Sequence, residues 1–250
     1  NVFLWRREDA IQHRVCHERP DLVLNGRNAI GPIAERKSFV LLLQEALHRL
    51  RVTQQVGADG CVIAVEPTDY AMRKLKINIG INSDLAPRVI AVQAAVTDSR
   101  NAGTKPAEYY SRWPLRHDTP RLHQAHLGQL EAAKESRLLL LDALVDELRA
   151  QRRIGSPVAF VKLDVDGNEL NVLLGGKRLF TGERPVILVE MAPYVQDEQP
   201  GRLDALLQTL SGYGYRLEYA DSGRDFPMSA EAVRKTIAAG AALDVVARPV

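Results

Sequence analysis

The sequence predicts an α/β fold. It would be built on a mainly parallel seven-stranded sheet with helices on both faces and an antiparallel terminal strand. Three observations predict it. Short apolar, β-branched runs alternate with longer amphipathic runs along the chain, the pattern of βαβ units. The apolar runs are continuous, as parallel strands covered on both faces require. The last two runs follow and succeed a Gly212-Tyr213-Gly214-Tyr215 turn, which suits a hairpin-like antiparallel edge.

Taken in order, Asp21–Leu24 is a weak first strand. Ser38–Leu50 places Val40, Leu43, Leu47 and Leu50 at helical spacing and is expected to be a helix. Val62–Val65 is a strand, Thr68–Asn78 a helix and Val89–Val92 a strand. Residues 98–137 interrupt the alternation with Trp113, Pro114, Pro120, His117, His123 and His126 and few periodic apolar positions. A long insertion of this kind is read as a substrate loop or lid. The pattern then resumes. Helix Leu141–Ala150 is followed by strand Ala159–Val165, helix Asn168–Phe180 and strand Val186–Glu190. Helix Leu203–Leu210, strand Tyr215–Tyr219, helix Ala230–Ala239 and strand Leu243–Ala247 complete the set. One domain over 1–250 is expected, with 1–20 an N-terminal appendage.

Bulk properties exclude several classes. Hydrophobic residues make up 46% and charged residues 26% of the 250, so a packed core is affordable and disorder is not expected. The net charge of +2 predicts neither a nucleic-acid nor a membrane partner. No apolar stretch reaches the roughly 18–20 residues of a membrane helix. No basic-then-apolar leader opens the sequence, and the cytoplasm is the expected compartment. The two cysteines, Cys16 and Cys61, read as buried or partly buried thiols and not as a disulfide framework. The oligomeric state is left open.

Three strand ends carry chemistry. Cys61-Val62-Ile63-Ala64-Val65-Glu66-Pro67 ends an apolar strand on a lone carboxylate. In an open α/β sheet ligands bind beyond the carboxyl ends of the strands, where an acid can accept both hydroxyls of a ribose. That reading does not separate a nicotinamide cofactor from an adenosyl sulfonium one. Phe160-Val161-Lys162-Leu163-Asp164-Val165-Asp166-Gly167-Asn168-Glu169 crowds three carboxylates onto one strand-to-helix turn. Capping by Asp166 or Asn168 accounts for one of them, which leaves Asp164 or Glu169 for function. Val186–Glu190 again ends on an acid. Glu66, Asp164 and Glu190 are therefore expected on one rim of the sheet. Hard oxygen ligands there would suit Mg²⁺, but acidic rims without metal are commoner and none is expected.

The stretch Val161–Leu170, followed by Val172-Leu173 and Gly175, resembles the signature of the FkbM-type methyltransferase family. That signature runs Ile-Lys-Ile-Asp-Val-Glu-Gly with a further Glu two residues on. Val62–Pro67 with Leu75, Asn78 and Asn82 is similar to the family's ribose-binding strand and following helix. Val89–Val92 with Ala94-Ala95-Val96 and Asp98, Leu141-Asp142-Ala143-Leu144, and Val186–Glu190 resemble its later segments. The likeness runs in order from about Cys61 to Tyr219. It implies a Rossmann-like class I methyltransferase fold, S-adenosylmethionine as methyl donor, and O-methylation of a sugar or small natural-product hydroxyl. It also implies Glu66, beside Pro67, on the cofactor ribose and Gln93 and Ala94 near the adenine. Asp98 is a weaker cofactor candidate. Asp164 would lie at the methionine end or the acceptor, with Glu190 beside it among the catalytic candidates. A histidine suits a base near neutral pH, and His123 of the insertion is the candidate. Tyr109-Tyr110 and Trp113 could stack on a sugar ring or pack the loop.

One departure stands out. The family's glycine loop, Asp-x-Gly-Ala-Asn-x-Gly, has its nearest counterpart in Leu24–Gly31. There Gly26 and Gly31 are one residue further apart and the leading Asp is missing. Two alternatives therefore stay open: a nicotinamide-dependent oxidoreductase, and a non-catalytic domain that kept the fold.

Overall fold

The computed structural model describes residues 38–42, 60–99, 108–112, 128–155 and 157–250. Apolar parallel strands form its centre. β1 (Ser38–Leu42), β2 (Cys61–Glu66), β3 (Val89–Val96), β6 (Arg137–Leu139), β7 (Val158–Leu163) and β8 (Val186–Met191) all run the same way. β10 (Leu243–Pro249) slots antiparallel between β8 and β9 (Tyr215–Tyr219). The order is β6-β3-β2-β1-β7-β8-β10-β9, and β4 (Glu108–Arg112) and β5 (Gln129–Ala132) form a separate two-stranded hairpin. The main sheet thus has eight strands and mixed direction where seven were expected.

The largest correction concerns Ser38–Leu42. The helical spacing of Val40, Leu43, Leu47 and Leu50 suggested a helix, but this segment is a strand between β2 and β7. The run Ser-Phe-Val-Leu-Leu satisfies both patterns. A position with parallel neighbours on each side favours the extended form of such a run. β6 was not expected either, since it is three residues long and starts on an arginine. The expected strand Asp21–Leu24 lies outside the described residues, as do 1–20, Gly26, Gly31, His123 and Cys16.

Six helices follow from apolar spacing or capping. α1 (Asp69–Ile81) starts at Thr68, whose Oγ1 accepts from the Ala71 N–H at 3.3 Å. α2 (Leu141–Ala150) buries Leu141, Leu144, Val145 and Leu148, the i, i+3, i+4, i+7 stripe of an amphipathic helix. α3 (Glu169–Gly175), α4 (Pro193–Gln196), α5 (Arg202–Gly212) and α6 (Ala230–Thr236) complete the described set. Alternation along β2 puts helices on both faces. Ala64 packs with Met72 and Leu75 of α1, whereas Ile63 and Val65 join the core that contains the α2 stripe. Among the described residues no helix is long and apolar enough to cross a membrane.

Candidate active site

Parallel strands deliver their carboxyl ends to one edge, so Glu66, Leu163 and Met191 finish on the same rim, with Glu190 one residue before the end of β8. A cavity of about 270 Å³ opens there. Its floor is Val65, Ala94, Ala95 and Val96, apolar and mostly small. Glu66, Pro67 and Thr97 border it, and Asp164, Val165, Asp166 and Asn168 form its other flank. Glu108, Tyr109 and Leu130 of the β4–β5 hairpin also line it.

Of the residues singled out from sequence, Glu66, Pro67, Ala94 and Asp164 meet in this cavity. Gln93 does not line it; its Nε2 donates to Asp69 Oδ1 at 2.6 Å. Asp98 is buried at 3% exposure and Glu190 is half-hidden behind the rim; neither is among the lining residues. Cys61 is partly buried, and burial raises its thiol pKa.

The Glu66 end is pinned. Oε1 accepts from the Thr68 N–H at 2.9 Å and from the Thr68 hydroxyl at 2.7 Å. The residue that caps α1 therefore also orients the rim carboxylate. Asp69, next in the chain, accepts from Gln93 and from the N–H groups of Lys134 and Glu135 at 3.4 Å each. That carboxylate ties the chain leaving the hairpin back to α1 and β3.

The Asp164 end is crowded. Lys162, two residues earlier on β7 and buried, places Nζ 3.2 Å from Asp164 Oδ2. Burial works against the lysine's charge, but Asp164, Asp244 and Glu190 outweigh it and its pKa is raised. Asp244 sits opposite Glu190 in the β10–β8 register. Burial, then Asp164, Asp166, Glu169 and Asp244, push the Glu190 carboxyl up to about 9. Burial and Asp164 also raise Asp244, against the pull of Lys162. One ammonium cannot neutralise so many carboxylates, so the Glu190 and Asp244 carboxyls are raised. The nearby Tyr194 phenol is raised to about 12 by burial and by Glu190, Asp166 and Glu198.

Glu169 turns out to be a structural clamp. It is 1% exposed, and its Oε1 accepts from the Val165 N–H at 3.2 Å and the Gly167 N–H at 3.3 Å. Gln196 Nε2 donates to its Oε2. Asn168 occupies the N-cap of α3 without a side-chain capping bond, and Asp166 caps nothing. Asp166 is instead the residue that sequence reasoning undervalued. Its backbone is left-handed, with φ 44°, and its buried Oδ2 has no hydrogen-bond partner among the described residues. Burial, then Asp164, Glu169 and Glu66, hold its carboxyl well above the ordinary aspartate range. The available signal was a second acid two residues after Asp164, directly before a glycine.

No curated protein matches the chain. Among solved structures it is similar to methyltransferase FkbM from Methylobacillus flagellatus, at 15% identity and a TM-score of 0.53, covering 94% of this chain and 50% of that one. The chain thus spans about half the length of that relative. Fibrillarin from Aeropyrum pernix in complex with S-adenosyl-L-methionine matches at 11% identity and a TM-score of 0.46, over 92% and 74% of the two chains. Precorrin-6y C5,15-methyltransferase from Geobacter metallireducens matches at 11% and 0.45, over 94% and 88%. Only the first of these likenesses is close enough to bear on the fold, which it shows as Rossmann-like and of the class I methyltransferase type. The methyltransferase FkbM domain matches residues 44–217, and its methyl donor is S-adenosylmethionine. With that match spanning well over half of its length, the chain belongs to the FkbM methyltransferase domain family.

Proposed function

We propose that this chain transfers a methyl group from S-adenosylmethionine to a hydroxyl of a sugar or small natural product. The observation that carries the proposal is one cavity shared by Glu66 and by Asp164 and Asp166, with an apolar floor between them. The residues present fit the donor. The floor of Val65, Ala94 and Val96 suits a flat apolar base. The pinned Glu66 suits two ribose hydroxyls, and the Asp164 carboxylate of the far flank suits a cation. Bound there, the donor supplies a methyl group made electrophilic by its sulfonium.

The protein's part is placement. Glu66 fixes the sugar of the cofactor and Pro67 ends the strand beside it. Asp164, held by Lys162, orients groups near the reacting centre. Glu190, pushed up to about 9 by burial and by Asp164 and Asp166, sits beside them as a protonated carboxyl. The hairpin residues Glu108, Tyr109 and Leu130 close one side of the cavity and help exclude water. The remainder of 98–137, with His123, is assigned to the acceptor, and Gly26 and Gly31 to binding of the donor. Membership of a methyltransferase family favours this donor over a nicotinamide. We keep a small-molecule acceptor and the cytoplasm as the working setting.

Calorimetry with S-adenosylhomocysteine tests the reading. The intact chain is expected to bind it, and Glu66→Ala to lose at least about tenfold in affinity, ~1.4 kcal/mol. No binding by the intact chain would favour the non-catalytic alternative, and a Glu66→Ala variant that binds normally would remove the ribose assignment.

A further inference from the structure

We propose that Asp166 is a catalytic residue, the acceptor of the proton that leaves the methylated hydroxyl; this rests on the methyl-transfer reading of the cavity. The inference starts from a conflict inside the fold. A carboxylate oxygen buried without a partner is costly, and native structures avoid it unless the group has work to do. Among the described residues Asp166 Oδ2 is such an atom, on a residue that lines the cavity beside Asp164. The backbone adds a second cost, because φ 44° is a left-handed conformation on a residue other than glycine.

Both costs persist because the turn around Asp166 is fixed from several directions. Glu169 Oε1 holds the N–H groups on either side of it, at Val165 and Gly167. Gln196 in turn holds Glu169. The Asn168 N–H donates to the Val165 carbonyl at 3.2 Å, and Arg202 Nε donates to the Gly167 carbonyl at 2.8 Å. Val195 Cγ1 lies 2.7 Å from where a Cβ on Gly167 would be, so the turn has no room to relax on that side. A side chain held this way keeps its unused oxygen aimed where the fold puts it.

The other carboxylates of the cavity are less suited. Glu66 Oε1 is engaged by Thr68, Asp164 Oδ2 by Lys162, and Glu108 is exposed on the hairpin. The charged and titratable groups around Asp166 are Asp164 and Glu169 on its own segment, Glu66 from β2, and Glu190 and Tyr194 from the end of β8 onward. The Arg202 guanidinium meets the adjoining Gly167 carbonyl, but burial first, then Asp164, Glu169 and Glu66, raise Asp166 and strengthen it as a base. In the step itself, the acceptor's O–H bond breaks toward Asp166 Oδ2 as its oxygen forms the new bond to the methyl carbon. The carbon–sulfur bond breaks with its electron pair left on sulfur, so the sulfonium charge is discharged and one proton resides on Asp166.

Two readouts need no acceptor. In ¹³C-aspartate infrared titration, the wild-type chain should show raised carboxyls at Asp166 and Asp244, and Asp166→Asn should lose the first and keep the second. In calorimetry, Asp166→Asn should bind S-adenosylhomocysteine within about threefold of wild type. Turnover is read as labelled methyl transfer to a panel of methyl glycosides. Asp166→Asn should lose roughly a hundredfold or more in kcat for any glycoside that is methylated, with donor KM unchanged. An Asp166 that titrates in the ordinary range, an Asp166→Asn variant that loses the cofactor analogue, or undiminished turnover would each overturn the proposal. Failure of the wild-type chain to bind the analogue would instead bring down the methyl-transfer reading beneath it.

Discussion

The two ends of the cavity solve opposite problems with the same functional group. At the β2 end a single buried carboxylate, Glu66, is met by two donors from one neighbour, Thr68. At the β7–β8 end Asp164, Asp166, Glu169, Glu190 and Asp244 influence one another around one lysine, and Asp166 is left with an unpartnered oxygen. A satisfied carboxylate is pre-oriented for binding, because little has to reorganise when hydroxyls arrive. A cluster held in mutual repulsion binds protons more tightly once they arrive. The difference teaches that one rim of one sheet can separate holding from proton handling by neighbourhood alone.

That contrast can be broken most forcefully at Glu190. Its folded carboxyl titrates near 9, above the ordinary value of about 4.3. A raised folded pKa gives stability that is complete below the unfolded pKa and lost as pH rises through the folded one. The protein should therefore lose stability between about pH 4.5 and pH 9. Glu190→Gln, which carries no charge to suppress, should remove a share of that loss on the order of a few kcal/mol. Thermal unfolding of both chains at pH 6 and pH 9 measures it, and parallel pH curves would remove Glu190 from the cluster.

A somewhat smaller effect is expected at Glu169. Glu169→Ala strands two backbone N–H groups and the Gln196 amide, and should cost about 3 kcal/mol in denaturant unfolding. It should also release the left-handed turn, so that the raised Asp166 carboxyl falls toward the ordinary range in infrared titration. Because the clamp lies at the β7 end, affinity for S-adenosylhomocysteine should fall less than in Glu66→Ala. The reverse ranking would mean that the two ends are not separate.

How much of this could be read without coordinates depends on the kind of signal. Strands β2, β3, β7 and β8 and helices α2 and α5 announce themselves, because apolar runs and clean 3.6-residue stripes leave one reading. Ser38–Leu42 does not. Its five residues fit a strand or the first turns of a helix, and only the place between β2 and β7 decides. The β4–β5 hairpin is hidden because Glu108–Arg112 and Gln129–Ala132 are separated by a long stretch with no periodic apolar positions. For the site, residue type and strand end suffice to pick out Glu66 and Asp164. The roles of Asp166 and Glu169 are not readable that way, since a backbone φ, an orphaned oxygen and a clamp from Gln196 exist only once distant segments meet. Gln93 is placed near the adenine by the family resemblance alone, and nothing in the sequence signals that its amide bonds to Asp69.

The finest test of the contrast lies at Thr68, where one hydroxyl serves two tasks. It accepts from the Ala71 N–H to start α1 and donates to Glu66 Oε1. Thr68→Val keeps the shape and removes both bonds. Loss of an N-cap costs about 1 kcal/mol, and unfolding measurements should show a change of that size. The backbone N–H of residue 68 still reaches Glu66, so the carboxylate is loosened and not released. Affinity for S-adenosylhomocysteine should fall only about two- to fivefold, less than for Glu66→Ala, by calorimetry. The Asp166 carboxyl band should move little, because burial, Asp164 and Glu169 all outrank Glu66 among the causes that raise it. A shift of that band in Thr68→Val would mean that orientation of Glu66 is transmitted to Asp166, and the cavity would then be one coupled unit with a single electrostatic balance.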